Sequence, residues 1–138
     1  MPASFKSVLL IDDSEIDILI NRRLIELTNF ASSVTVTGSA EEALNYLREE
    51  CSASSAPDWI FLDMHLPMMN GYDFIEEFKQ LPSFITSKSK IIILSVFQKQ
   101  ERLIKVFEND FVAGQLEKPL SQQGLKNIAK NIFVTASF

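Results

Sequence analysis

Five short apolar runs alternate with longer amphipathic segments along the chain. The runs lie at residues 8–11, 34–37, 59–62, 91–94 and 112–116. The first, third and fourth are apolar at nearly every position, as in strands whose two faces are both buried. The second alternates apolar and polar residues, which predicts an edge strand. The pattern as a whole predicts an α/β fold in which helices cover both faces of a parallel sheet.

The segments between these runs carry the start signals of helices. Ser14 and Ser39 each precede an acidic residue by three positions, which is the spacing of a capping box. Further helices are predicted after Asn70-Gly71, from about residue 98 to 108, and from residue 121 or 122 to about 133. An apolar stripe on the first helix is expected to face the core. It consists of Ile16, Leu19, Ile20, Leu24 and Leu27.

Length and composition narrow the class of protein. A chain of 138 residues suits one domain, so we expect residues 1–138 to form a single unit. The net charge of −5, without a basic run, disfavours direct binding of nucleic acid. A lone cysteine, Cys51, excludes an internal disulfide, and with one histidine it cannot build a zinc site. No segment approaches the ~20 apolar residues of a membrane helix or has the form of a signal peptide, so we expect a cytoplasmic protein.

Polar residues that can bind metal ions or take part in reactions follow four of the five predicted strands. Asp12 and Asp13 follow the first strand and Asp63 follows the third. Ser95 follows the fourth, and Lys118 comes just after the fifth. Because ligands of open parallel sheets bind beyond the carboxyl ends of the strands, we expect these five side chains to converge at one edge.

Such a cluster suits one kind of chemistry. Carboxylates packed together repel each other, and a divalent cation with oxygen ligands, such as Mg²⁺, removes that conflict. Lys118 adds a positive charge and Ser95 adds a hydroxyl donor. A carboxylate flanked by metal, ammonium and hydroxyl groups suits an Asp that accepts a phosphoryl group, because the added charge meets compensating groups. The alternative is a strand-end cluster of salt bridges that binds no ligand.

The order Asp12-Asp13, then residues 62–71 around Asp63, then Ser95, then Lys118-Pro119 resembles the receiver domain of bacterial two-component response regulators, including the single-domain chemotaxis regulators. The resemblance extends from Lys6 to about Phe133. It implies a flavodoxin-like, doubly wound sheet of five parallel strands in the order 2-1-3-4-5, with five helices, in a three-layer sandwich.

The resemblance implies a role for each of these residues. Asp63 would accept a phosphoryl group from a sensor histidine kinase or a histidine phosphotransfer protein. Ser95 and Lys118 would bind that group, and Pro119 would follow the lysine in a cis peptide bond. The cofactor would be Mg²⁺, which Mn²⁺ can replace. Its ligands would be Asp13 directly, Asp12 through water, Asp63, and the backbone carbonyl of His65.

Four positions depart from the family pattern or border the site. Gln115 stands three residues before the lysine, where many receivers carry a Tyr or Phe that reports phosphorylation, so the aromatic switch is altered. Val96 and Phe97 follow Ser95 and are expected, with His65, to form the rim of the site. The His65 side chain is interpreted as a bystander and not as a catalyst.

The resulting hypothesis is a stand-alone receiver that signals by phosphorylation-dependent binding of an unknown downstream protein. It is not an enzyme beyond phosphotransfer to itself and self-dephosphorylation. The resemblance also implies that a homodimer can form through the fourth helix, fifth strand and fifth helix. The alternative hypothesis is an interaction module that keeps the fold without being phosphorylated. A flavodoxin-like electron carrier is disfavoured, because no phosphate-binding loop rich in Ser, Thr and Gly follows the first strand.

Overall fold

A five-stranded parallel sheet forms the centre of the computed structural model, which describes residues 3–64, 66, 68–95, 110–118 and 120–130. The strands are β1 (Phe5–Ile11), β2 (Ala31–Thr37), β3 (Trp59–Asp63), β4 (Lys90–Ser95) and β5 (Val112–Glu117). Their order is β2-β1-β3-β4-β5, and every adjacent pair is parallel. The predicted strand order and the edge position of β2 are both confirmed.

Five helices occur in the described part of the chain. They are α1 (Glu15–Leu27), α2 (Ala40–Glu49), α3 (Gly71–Phe78), the single-turn α4 (Ser83–Thr86) and α5 (Gln122–Ala129). The helix predicted at 98–108 and the end of the last helix lie outside the described residues. Helix α4 is not among the helices that the sequence predicts. None of the described helices combines the length and the hydrophobicity needed to cross a bilayer.

Side-chain caps fix where the longer helices begin. Ser14 and Ser39 accept a hydrogen bond from the backbone N–H three residues on, as predicted. Asn70 and Ser121 cap α3 and α5 in the same way. Each of these caps follows the carboxyl end of a strand, so the helix N-termini gather at one edge of the sheet.

The core has one cluster on each face of the sheet, because neighbouring residues of a strand point to opposite faces. Helices α2, α3 and α4 cover one face, where Leu9, Ile11, Ile60, Leu62, Ile91 and Ile93 lie. Helices α1 and α5 cover the other face, where Val8, Leu10, Trp59, Phe61, Ile92 and Leu94 lie. The three central strands are therefore buried on both sides, as their sequences indicate.

The predicted buried stripe of α1 is wrong. Ile16, Leu19 and Leu27 are 71%, 68% and 69% exposed, and Ile20 is 44% exposed. Of the predicted stripe, Leu24 alone packs against the core. The helix instead buries Asn21 and Ile25.

The inward side of α1 contains a polar residue, Asn21, whose Nδ2 has no hydrogen-bond partner among the described residues. The buried Asn21 Oδ1 accepts a hydrogen bond from the backbone N–H of Leu120 at 3.4 Å. Ile18 and Leu24 pack beside Ile25 on this same inward side. A polar residue with a buried partner thus shares the core-facing side, and four large apolar residues remain exposed.

Candidate functional site

Three carboxylates meet at the carboxyl edge of the sheet. Asp12 and Asp13 directly follow β1, and Asp63 is the last residue of β3. The register pairs Ile11 with Leu62, so these strand ends are adjacent. One oxygen from each of the three carboxylates lies within 4.8 Å of the others. Asp12 and Asp63 are buried, whereas Asp13 is exposed.

Lys118 lies among these carboxylates. Its Nζ is 3.1 Å from Asp63 Oδ2 and 3.4 Å from Asp12 Oδ2, and the side chain is only 11% exposed. Burial opposes the charged form of the amine, but the hydrogen bond with Asp17 and the negative charges of Asp63 and Asp12 outweigh it. They raise the pKa of Lys118 above its ordinary value, so the ammonium stays charged across the neutral range.

Asp17 is a site residue that the sequence analysis missed. Its Oδ2 lies 3.0 Å from Lys118 Nζ. The sequence indicates Asp17 only as the acidic residue of a capping box, and its backbone N–H indeed donates to Ser14 Oγ at 3.3 Å. The missed signal is position, because the first turn of a helix that begins directly after a strand lies beside that strand's end.

Asp12 has the features of a metal ligand. Its Oδ1 accepts from the Ser14 N–H at 3.0 Å, while its buried Oδ2 accepts no hydrogen bond from the described residues and has only the ion pair with Lys118 Nζ at 3.4 Å. Burial raises the pKa of Asp12 above its usual range and the charge of Asp63 adds to this, although the Ser14 N–H and Lys118 act in the opposite direction. A buried oxygen without a hydrogen bond, beside two more carboxylates, fits a hard divalent cation.

Ser95 makes two hydrogen bonds with the segment formed by β5 and the residue after it. It is the last residue of β4, is buried, and accepts the Lys118 backbone N–H on its carbonyl oxygen at 2.9 Å. Its Oγ accepts a hydrogen bond from Gln115 Nε2 at 2.7 Å. The position that differs from the family pattern is therefore in direct contact with the hydroxyl of the site.

Met64, the residue directly after Asp63, lies in close contact with Gly71. The Gly71 N–H donates to the Met64 carbonyl at 3.3 Å. A Cβ on Gly71 would collide with Met64 Sδ and would lie 3.0 Å from Met64 Cα. Asn70 caps the helix that follows, accepting from the Asp73 N–H at 3.0 Å. The Asn70-Gly71 pair thus holds the residue next to Asp63 in place.

Several predicted site residues lie outside the described residues. They are His65, Val96, Phe97 and Pro119. Four expectations therefore stay predictions. They are the rim of the site, the carbonyl ligand at His65, the cis peptide bond, and the dimer face that includes residues 98–108.

Cys51 is free and half-buried, and burial raises the pKa of its thiol.

The chain matches a known family and two curated proteins over most of its length. The family model described as "Response regulator receiver domain" matches residues 8–130. The probable methanogenesis regulatory protein FilR2 of Methanothrix harundinacea is 26% identical over 126 residues, which are 91% of this chain and 79% of that protein. The two-component response regulator ARR14 of Arabidopsis thaliana is 25% identical over 131 residues, 95% of this chain. The chain spans only 31% of the length of ARR14.

Solved structures also resemble this one closely. A two-component response regulator from Cytophaga hutchinsonii has 31% identity and a TM-score of 0.84, covering 92% of this chain and 96% of that chain. A response regulator receiver protein from Dyadobacter fermentans has 26% identity and a TM-score of 0.80, with coverage of 92% and 97%. The fold is therefore shared along nearly the whole length of both proteins.

Proposed function

The chain belongs to the response regulator receiver domain family, and on that premise we propose that it is a cytoplasmic phosphoacceptor that works as a single domain over residues 1–138. Asp63 accepts a phosphoryl group from a phosphohistidine of a histidine kinase or phosphotransfer protein in a Mg²⁺-dependent reaction. Phosphorylation then changes the affinity for a downstream protein. The observation that carries the proposal is the position of Asp63, 3.1 Å from the Lys118 ammonium and within 4.8 Å of the Asp12 and Asp13 carboxylates.

The transfer is a substitution at phosphorus. An oxygen of the Asp63 carboxylate forms a bond to phosphorus, and the bond from phosphorus to the imidazole nitrogen breaks. The electron pair of that bond stays on the imidazole of the donor. The product is an acyl phosphate, which carries more negative charge than the carboxylate it replaces.

Residues of this chain offset that added charge. Lys118, held in its charged form by three carboxylates, provides a positive charge beside Asp63. The Ser95 hydroxyl provides a hydrogen bond from the end of the adjacent strand. A divalent cation held by Asp12, Asp13 and Asp63 would supply the remaining positive charge when bound.

The exposed face of α1 supports a protein as the phosphoryl donor. Ile16, Leu19, Ile20 and Leu27 form this face. Helix α1 begins at the site, because the Ser14 N–H donates to Asp12 and the Asp17 carboxylate contacts Lys118. Exposed apolar surface of this kind marks interaction sites. A donor protein bound along α1 therefore brings its histidine close to Asp63.

The same face of α1 favours a second candidate function. It is exposed in the protein without a phosphoryl group on Asp63, so it also suits an interaction module that binds its partner without phosphorylation. The two functions differ in one respect. Binding by the module is unaffected by Asp63→Asn, whereas signalling by the phosphoacceptor is abolished.

The test is labelling of the purified chain by a radiolabelled acyl phosphate and by phosphorylated histidine kinases, with and without Mg²⁺. The parent is expected to be labelled in a metal-dependent manner, and Asp63→Asn is expected to lose all label. Asp73→Asn is the matched control, because Asp73 is an exposed aspartate in the first turn of α3. Undiminished labelling of Asp63→Asn would overturn the proposal.

A further inference from the structure

Gln115 and Ser95 form a side-chain hydrogen bond on neighbouring strands. The amide nitrogen Nε2 of Gln115 lies 2.7 Å from Ser95 Oγ, and Gln115 pairs in register with Ile93, two residues before Ser95. Ser95 is 4% exposed. The bond is short and lies in a largely buried place, where a hydrogen bond orients its partners strongly.

The direction of this bond constrains the hydroxyl proton. An amide nitrogen can only donate, so Ser95 Oγ is the acceptor and its own proton points to another acceptor. A serine hydroxyl has one proton and two lone pairs, and it can accept from Gln115 and donate elsewhere at the same time. Because the Gln115 N–H occupies one lone pair of Ser95 Oγ, the hydroxyl proton of Ser95 cannot point at Gln115.

We propose that Gln115 is a positioning residue that holds the Ser95 hydroxyl so that its proton is directed to a phosphoryl group on Asp63. This inference rests on the proposed function, because it requires a phosphoryl group at that position. Ser95 and Asp63 are the last residues of adjacent strands, and Asp63 pairs in register with Leu94. A phosphoryl group on Asp63 brings acceptor oxygens to the edge where Ser95 lies.

The backbone of Ser95 is fixed as well. Its carbonyl oxygen accepts the Lys118 N–H at 2.9 Å, which joins its main chain to that of the lysine that contacts Asp63. With the main chain held by Lys118 and the hydroxyl held by Gln115, little freedom remains to be lost when the phosphoryl group arrives. Such preorganisation lets each hydrogen bond contribute more of its energy to binding.

The prediction distinguishes a donor at residue 115 from a group that only fills space. Gln115→Met keeps the length of the side chain and removes the hydrogen bond. Gln115→Glu keeps the shape but replaces the donor by an acceptor, which draws the Ser95 proton away from the phosphoryl group. We therefore expect the glutamate variant to be the more impaired of the two.

The experiment measures the affinity for beryllofluoride with Mg²⁺, which stands in for the phosphoryl group, by calorimetry. Affinity is expected to fall about tenfold in Gln115→Met, the scale of one hydrogen bond to a charged group, and further in Gln115→Glu. The affinity for Mg²⁺ alone is expected to stay within about twofold of the parent in Gln115→Met, because residue 115 is not a metal ligand in this proposal. A side chain with a purely structural role would not separate these two affinities.

A double-mutant cycle with Ser95→Ala isolates the contact. In the Ser95→Ala background, Gln115→Met is expected to have no further effect on beryllofluoride affinity, and any remaining effect of Gln115→Glu measures its added charge. Equal effects in both backgrounds, or a glutamate variant no weaker than the methionine variant after this correction, would overturn the inference. If either variant fails to fold, as seen by circular dichroism, the other still tests the contact.

The parent and Asp63→Asn separate this inference from the proposed function. If the parent binds no beryllofluoride and takes up no label on Asp63, the proposed function fails. If the parent does both and the Gln115 variants behave like the parent, the proposed function stands and the role of Gln115 is refuted.

Discussion

The carboxylate of Asp17 lies 3.0 Å from the ammonium of Lys118, as close as the carboxylate of Asp63, which lies at 3.1 Å. Two acidic side chains from different elements therefore share one positive charge. In the proposed function a phosphoryl group on Asp63 needs that charge, so Asp17 would compete with it for Lys118.

Asp17→Asn is expected to increase the affinity for beryllofluoride with Mg²⁺ by up to about fivefold, because a partly exposed ion pair contributes at most about 1 kcal/mol. Calorimetry at low and moderate salt measures the effect. Glu15→Gln is the matched control, since it removes one negative charge from the same turn of α1. An equal gain in the control would show that general charge, and not the contact with Lys118, is responsible.

Asp12→Asn is expected to stabilise the metal-free protein at neutral pH, by about 1 kcal/mol, the usual size of a stabilising substitution. Burial raises the pKa of Asp12, so the folded state disfavours its charged form. The contribution of Asp12 to stability is therefore present at low pH and is lost as the pH rises through its folded-state pKa. The gain in the variant is expected to disappear under acid conditions, where Asp12 is protonated.

Urea unfolding at acid and neutral pH, with EDTA or with Mg²⁺, measures the effect of Asp12 on stability and its part in binding Mg²⁺. Mg²⁺ is expected to stabilise the parent by an amount that grows with the logarithm of its concentration above the dissociation constant, and to leave the stability of Asp12→Asn unchanged. A variant that is less stable than the parent at neutral pH without metal would contradict the prediction.

Gly71→Ala is expected to destabilise the fold by about 1–3 kcal/mol, since its Cβ would collide with the Met64 side chain and lie 3.0 Å from the Met64 Cα. Because Met64 directly follows Asp63, labelling by an acyl phosphate is expected to slow as well. Gly38→Ala is the matched control, as a Cβ there would lie 3.7 Å from Glu42 Oε1, an ordinary contact. Thermal unfolding and labelling kinetics of both variants are the measurements.

Leu19→Ser is expected to leave the stability within about 0.5 kcal/mol of the parent, because Leu19 is 68% exposed. Transfer from a phosphorylated histidine kinase is expected to slow at least severalfold, while labelling by a small acyl phosphate stays unchanged. The buried Ile25 gives the contrast, since Ile25→Ser destabilises the fold itself. Equal kinase transfer to the parent and Leu19→Ser would place the donor elsewhere.

Much of the architecture follows from local patterns. Strands buried on both faces have continuous apolar sequences, so β1, β3 and β4 are recognisable from their residues alone. The carboxyl ends of parallel strands share one edge, so Asp12, Asp13, Asp63, Ser95 and Lys118 are expected together before any coordinates are known. The order of the strands came from the resemblance to receiver domains, whose motifs these residues match.

The remaining features depend on contacts between distant parts of the chain. Both apolar sets of α1 have helical spacing, so periodicity does not choose between them. In the fold Ile18, Leu24 and Ile25 pack against the core, on the side where Asn21 meets the Leu120 N–H from 99 residues along the chain. The contact of Asp17 with Lys118 and the bond of Gln115 to Ser95 depend likewise on how a helix is rotated and how two strands are aligned. A periodic pattern states which residues share a face. It carries no information about which buried polar partner that face will meet, because such a partner comes from elsewhere in the folded chain.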